Sequence, residues 1–325
     1  MNSVIVERHR RPPSALHFMS RALLGSRRLP KQPEFPPIVE RWEGVRIGTN
    51  HETGFRQATG LDGTSILYPH VLGFRLQMAM LTHPAFPLPI WNTLQIRNRL
   101  ISHRPLRRDD TYTFETCIGD HRFVEKGIEV DLKTRLVSGD RCDWESVITY
   151  FYRGRFSSTD LRSSQPAAPD LSGVAVVARF RTPKSGGWAF GGLTGDYNGI
   201  HTWRPYARRF GFPSAFMHPQ RSAALCLKAL GLGDAEAGTL RLWIKGPVFY
   251  DAEVTLVARN APDGRHFGLS LAGDVRHAIV GSWSAATWTS GPGPKQNRRL
   301  KPALCPLDQT CVRRTCEPPE DALYT

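Results

Sequence analysis

The sequence predicts an α+β fold in which one unit, a central helix followed by four antiparallel strands, is used twice. Three observations predict it. Two apolar helical segments, Val71–Leu81 and Ser222–Leu230, are each followed by four runs rich in β-branched and aromatic residues. The joints match: Pro105-Leu106 then Asp109-Asp110 in the first half, Pro247-Val248 then Asp251 in the second. Both helices are apolar beyond a single stripe, as a helix wrapped by a curved sheet must be.

Taken in order, residues 1–40 are rich in Pro and Arg and read as a basic, flexible arm. Residues 41–156 form the first unit. Its helix, Val71–Leu81, precedes strands expected at Leu94–Ile101, Thr111–Ile118, Phe123–Val137 and Trp144–Tyr152. Residues 157–173, rich in Ser, Pro and Ala, read as a polar linker. Residues 174–288 form the second unit, with its helix at Ser222–Leu230. Its strands are expected at Leu240–Ile244, Glu253–Ala258, Phe267–Ala272 and Val275–Trp288. Residues 289–325 lack apolar periodicity and read as a disordered tail.

Composition narrows the function classes. The 325 residues are 40% hydrophobic and 10% aromatic, which fits a folded globular chain. No apolar run approaches membrane-spanning length, and the start lacks a signal-peptide apolar core, so a cytoplasmic protein is expected. The net charge of +14 is concentrated at the ends: residues 1–31 carry seven Lys/Arg against one acid. A basic surface favours polyanions, but no RNP-like, zinc-finger or helix-turn-helix pattern points to nucleic acid. Cys117, Cys142 and Cys226 sit in apolar segments and read as small core residues. No Gly-x-Ser-x-Gly elbow is present. Lys184-Ser185-Gly186-Gly187 lacks the glycine spacing of a phosphate loop. No His/Cys/Asp spacing suggests a metal site.

One block carries chemistry. Thr194 to Pro219 holds Asp196 and His201 five residues apart around an Asn198-Gly199 turn, with His218 opening the second helix. Alone, such an Asp caps a turn and such a His is a satisfied ring near a helix start. Together, a carboxylate and an imidazole on one short loop can share a single water and move protons on and off carbon. Asn198 and Gly199 shape the loop. Arg204, Arg208 and Arg209 read first as a solvated face. Trp188, Trp203 and Trp243 read as packing, and His70, His83 and His103 as structural.

The block, DYNGIHTWRPYARRFGF followed by FMHP, resembles the MaoC-like, hydratase-2 type acyl dehydratases of the hot dog fold. Asp196, Asn198 and His201 fall on that family's first motif element, Ala207 and Gly211-Phe212 on its middle, and His218 on its last. The resemblance implies a double hot dog chain with one catalytic motif. It implies hydration of trans-2-enoyl thioesters, or the reverse dehydration, with Asp196 and His201 catalytic. It also implies no separate cofactor, since coenzyme A or a phosphopantetheine arm is part of the substrate. His218, Gln220, Arg204 and Arg208 are then candidate substrate contacts, the arginines on phosphates. Two positions depart from the pattern. Gly199 stands where the family has Pro. Pro219 stands where the family has a Gly whose N–H helps hold the thioester carbonyl, and proline has no N–H. Gln220 is the neighbouring amide that could substitute.

Two readings with different outcomes follow. In one, the chain is an enoyl-thioester hydratase or dehydratase acting on acyl-CoA or an acyl carrier protein, as a monomer or homodimer. In the other, it binds acyl thioesters without turnover because Pro219 removes an oxyanion donor. A polyanion binder driven by the basic ends ranks third.

Overall fold

The computed structural model of the chain describes residues 4–25, 28–157, 166–232 and 237–286. Its centre is α3, Leu67–Leu81, in which every residue except Arg75 is buried. Such a helix has no polar face to give to water and folds only inside a sheet. Strands β3 (Thr93–Ser102), β4 (Tyr112–Val124), β5 (Gly127–Ser138) and β6 (Arg141–Arg153) follow it and enclose it. In the second half α6, Pro219–Ala229, plays the same part. It precedes β8 (Gly238–Ile244), β9 (Glu253–Ala261), β10 (Gly264–Leu271) and β11 (Ile279–Ala285).

All eleven strands of the described residues join one sheet, in the order β1-β2-β4-β5-β6-β3-β8-β11-β10-β9-β7. The order reads outward symmetrically from the middle. The first strand after each helix, β3 and β8, meets its counterpart in antiparallel register, Leu100 opposite Leu240. The edge strands β2 (Ile38–Val45) and β7 (Ala175–Arg181) occupy matching places beside β4 and β9. One continuous apolar core runs from Leu67 and Trp144 in the first half to Leu227 and Phe267 in the second. No helix of the described residues is long and apolar enough to cross a membrane.

Several expectations are corrected. Residues 4–25 and 28–40 are not a loose arm. β1 (Ile5–His9) pairs in parallel with β2, Ile5 opposite Ile38, and α1 (Ala15–Leu24) buries Phe18 against Phe74 and Met78. The backbone hydrogen bonds of β1 depend on a strand that lies about 33 residues on, so no local periodicity announces them. Phe123 and Val124 end β4, because the chain turns at Glu125-Lys126 before β5 begins. Val275 lies in a turn, and β11 starts only at Ile279. Tyr68-Pro69-His70, expected just before the first helix, lies inside α3. Helices α2 (Thr49–Thr59), α4 (Gly187–Thr194) and α5 (Arg204–Arg209) had no strong pattern and were not anticipated. Part of the expected linker, 158–165, and the whole tail, 289–325, lie outside the described residues.

Candidate active site

A chain of short-range hydrogen bonds builds the loop that carries the site. α4 ends at Gly195, which takes a left-handed φ of 80° and returns its N–H to Gly191 O. From there each polar side chain captures the amide two residues on. Thr194 Oγ1 accepts from Asp196 N at 3.1 Å, Asp196 Oδ1 from Asn198 N at 3.1 Å, and Asn198 Oδ1 from Ile200 N at 3.2 Å. The last of these caps a single 3-10 turn, Gly199–His201, that delivers the imidazole. Gly199 is explained by its neighbour: a Cβ there would lie 2.6 Å from Tyr206 Cδ1. The ring of Tyr206 on α5 thus keeps residue 199 small.

His201 is buried and donates from Nδ1 to Phe216 O at 3.0 Å. That bond fixes the tautomer and leaves Nε2 with its lone pair toward Asp196, whose Oδ2 stands 3.9 Å away. The gap exceeds a direct hydrogen bond, but both atoms can bond to a common oxygen about 2.8 Å from each. Burial lowers the His201 pKa below the usual imidazole value, while Asp196 and the Phe216 carbonyl pull it back up. The ring is therefore neutral at neutral pH and able to accept a proton.

His218, the N-cap of α6, stacks on His201 with ring centres 4.0 Å apart and 27° between planes. Its Nε2 donates to the Asp196 carbonyl at 3.0 Å. Burial first, and then the neighbouring His201, hold its pKa well below the ordinary value. It is thus a neutral brace beneath the pair. Pro219 occupies the first position of α6, so the first amide of that helix belongs to Gln220. The N–H groups of Arg221 and Ser222 both go to His218 O. The Gln220 side chain is buried, and its Oε1 has no hydrogen-bond partner among the described residues.

The structure thus brings Asp196, Asn198, Gly199, His201, His218 and Gln220 into one neighbourhood. Arg204 and Arg208 bond to none of these residues among the described ones. Both lie exposed on α5, where Arg208 Nε donates to Pro213 O. Trp188 and Trp203, expected to pack, are 66% and 60% exposed.

Three contributors escaped the sequence reading. Arg221 is buried and ties both halves together, donating from Nε to Ala58 O of α2 and from Nη1 to Ser185 O ahead of α4. Arg75 of α3 reaches Gly192 O in α4 at 2.8 Å. Tyr150 of β6 is fully buried and bonds to Gln77 Oε1. Its phenol pKa is raised well above normal by burial, with Tyr152 and Asp196 adding to the effect. An apolar or arginine-bearing helix position carries no signal of what will lie across the junction.

Among the described residues, two trios each bring their donor atoms within 4.8 Å of one another: Asp196, His201 and His218, and also His103, Cys142 and Glu145. Sequence spacing gave no hint of either. In the first trio the His218 Nε2–H is committed to a carbonyl and the two rings stack face to face. Their lone pairs therefore do not converge as a tetrahedral metal site requires. That trio fits proton transfer better than a metal.

No family model matches the chain. Among curated proteins it is 26% identical over 257 residues to 3-hydroxyacyl-thioester dehydratase X of Mycobacterium tuberculosis, covering 78% of this chain and 91% of that protein. The crystal structure of HtdX from the same organism superposes with a TM-score of 0.65 at 21% identity, over 76% of this chain and 100% of that one. A MaoC-like dehydratase from Phytophthora capsici gives a TM-score of 0.64 at 17% identity, over 80% and 98%. By sequence the chain is similar to a 3-hydroxyacyl-thioester dehydratase, and its fold is that of the MaoC-like dehydratases.

Proposed function

We infer that the chain hydrates trans-2-enoyl thioesters, or dehydrates the corresponding 3-hydroxyacyl thioesters. The observation that carries this is the pair itself: a neutral, buried imidazole nitrogen and a carboxylate oxygen 3.9 Å apart on one rigid loop beside a helix start. The homologous 3-hydroxyacyl-thioester dehydratase supports it. In hydration the pair binds one water, the water oxygen bonds to Cβ, its proton passes to the pair, and a proton returns to Cα. Dehydration is the reverse. The thioester carbonyl needs a donor while the enolate forms, and the Gln220 amide, the first of α6, stands next to His218 to supply it. No dissociable cofactor is required in this scheme, since coenzyme A or a phosphopantetheine arm arrives with the substrate.

In this reading the chain is a double hot dog. Residues 174–288 supply the chemistry. Residues 41–156 supply a wall of the acyl pocket through Tyr150 and α3. The fused pair replaces the dimer of single units, so the chain acts as a monomer or a homodimer.

A second reading, thioester binding without turnover, is favoured by Pro219 alone. One experiment separates the two: mixing the protein with crotonyl-CoA and following loss of the conjugated enoyl thioester. Turnover is expected, with an acid limb set by His201. Because that pKa lies below the usual imidazole value, the acid limb should lie below that of an ordinary histidine, the rate falling only as His201 gains its proton. Binding with no loss of the enoyl thioester at any pH would establish the second reading instead.

A further inference from the structure

The corrected N-terminal segment creates a cleft that the thioester chemistry above does not use. Where β1 hands over to α1 a cavity of about 480 Å³ opens, within the size range of small-molecule sites. Arg10, Arg11 and Arg21 line it, with His17 and Ser14 between them. None of the three arginines has a carboxylate within salt-bridge distance among the described residues. The nearby acids are engaged elsewhere: Glu43 with Arg8, Glu40 with His9, and Glu7, on the cleft wall, with His83 at 3.7 Å. The first turn of α1 points into the same space. Its N-cap, Ser14, makes no side-chain hydrogen bond and no acid sits in that turn, so its amides remain available to an anion.

The cleft is coupled to the active-site loop by one residue. Phe18 forms part of its wall. The same ring packs against Gly195, the residue before Asp196, so closely that a Cβ there would lie 2.9 Å from Phe18 Cζ. Three guanidiniums with no carboxylate partner among the described residues, an uncapped helix start and a cleft of this volume gather in one place, and its wall touches the loop that carries Asp196.

We propose that the cleft between β1 and α1 binds the phosphorylated nucleotide end of a coenzyme A thioester, with Arg10, Arg11 and Arg21 on its phosphates. This rests on the thioester reading and sharpens it, because it selects coenzyme A over a carrier protein as the group that delivers the acyl chain. The arm then acts as a substrate-binding element added to the two-unit fold.

The test uses the full chain and two substrates that differ only in the nucleotide, crotonyl-CoA and crotonyl-pantetheine. The quantity read is the ratio of their kcat/KM values. Arg10→Ala with Arg11→Ala, and separately Arg11→Glu at the same exposed surface, should lower that ratio at least ~10-fold, as loss of charge-assisted phosphate contacts does. Adenosine 3′,5′-bisphosphate should bind the wild type by calorimetry and bind these variants at least ~10-fold more weakly. An equal fall on both substrates would show a structural role for the arm and overturn the proposal. So would a ratio that responds to Arg204→Ala with Arg208→Ala and not to the arm. So would wild-type preference for a carrier-protein thioester that is lost in the arm variants. If the wild type turns over neither substrate, the enzymatic reading fails by itself, and calorimetry with the bisphosphate still decides the cleft.

Discussion

Each half of the molecule encloses a helix with a proline in its first turn and a buried histidine beside that proline, yet only in the second half does that histidine stand with an aspartate and another histidine among the described residues. In the second half His218 precedes Pro219, donates to the Asp196 carbonyl and stacks on His201. In the first half His70 follows Pro69 inside α3. Neither of its ring nitrogens has a hydrogen-bond partner among the described residues. Burial alone pushes the His70 pKa down to about 3. The rings near it are Phe74 and Trp144, where His218 has Phe190 and His201. The difference teaches that the helix and its sheet make a container. The α4–α5 segment of the second half adds the loop that carries Asp196 and His201. The first half contributes instead through contacts that cross the junction, from Arg75, Tyr150 and the α2 carbonyl that receives Arg221.

The largest effect should come from the pair. His201→Ala and Asp196→Asn should each lower turnover at least ~100-fold, the scale of a general acid–base group. The double variant should be little worse than either single one, because the two act as a unit. His70→Leu, in the half without the motif, should leave turnover intact. It should also blunt the loss of stability on acidification. The sign follows from linkage: a histidine with a depressed folded pKa binds fewer protons than in the unfolded chain. Its contribution is therefore present above about pH 6.5 and lost as the pH falls toward the folded value of about 3. Denaturant midpoints at pH 7 and pH 5 read it. Near-normal turnover in either pair variant would remove the distinction between the halves.

A smaller effect tests how the loop is held. Gly199→Ala should cost about 1–3 kcal/mol, because the new methyl meets Tyr206. Adding Tyr206→Ala should recover much of that loss, and a thermal melt of the three variants measures it. If the double variant recovers nothing, the close approach of the ring is not what keeps residue 199 small. The smallest effect concerns the helix start. One oxyanion donor is typically worth ~10²–10³ in rate. Pro219→Gly should give less, about tenfold or below, because the Gln220 amide already stands there and glycine loosens the first turn. Unchanged or lower kcat with the fold intact would show that Pro219 takes nothing from the site.

Much of the site was legible because its parts are close in the chain. The Asp196 and Asn198 side chains each accept from the amide two residues on, and His201 N donates to the Asn198 carbonyl, so the sequence spacing of these bonds is their geometry. His218 was legible as the residue before a helix-opening proline. The two central helices and the strands that follow them were legible for the same local reason, since periodic burial writes itself into periodic composition.

What the sequence by itself determined is therefore the plan of a helix followed by four strands, given twice, and the local bonds of the loop that carries Asp196 and His201. What only the tertiary structure decided is whatever depends on residues distant in the chain. β1 exists because β2 offers it a row of hydrogen bonds, and Phe18 is buried because Phe74 and Met78 wait for it. Arg204 and Arg208, four residues apart on α5, face water although they follow the motif directly, whereas Arg221 and Arg75, with nothing in their neighbourhood to mark them, hold the two halves together. A local pattern reports which side of an element is buried. It carries no information about which distant surface does the burying, because that choice is made by the packing of the whole chain.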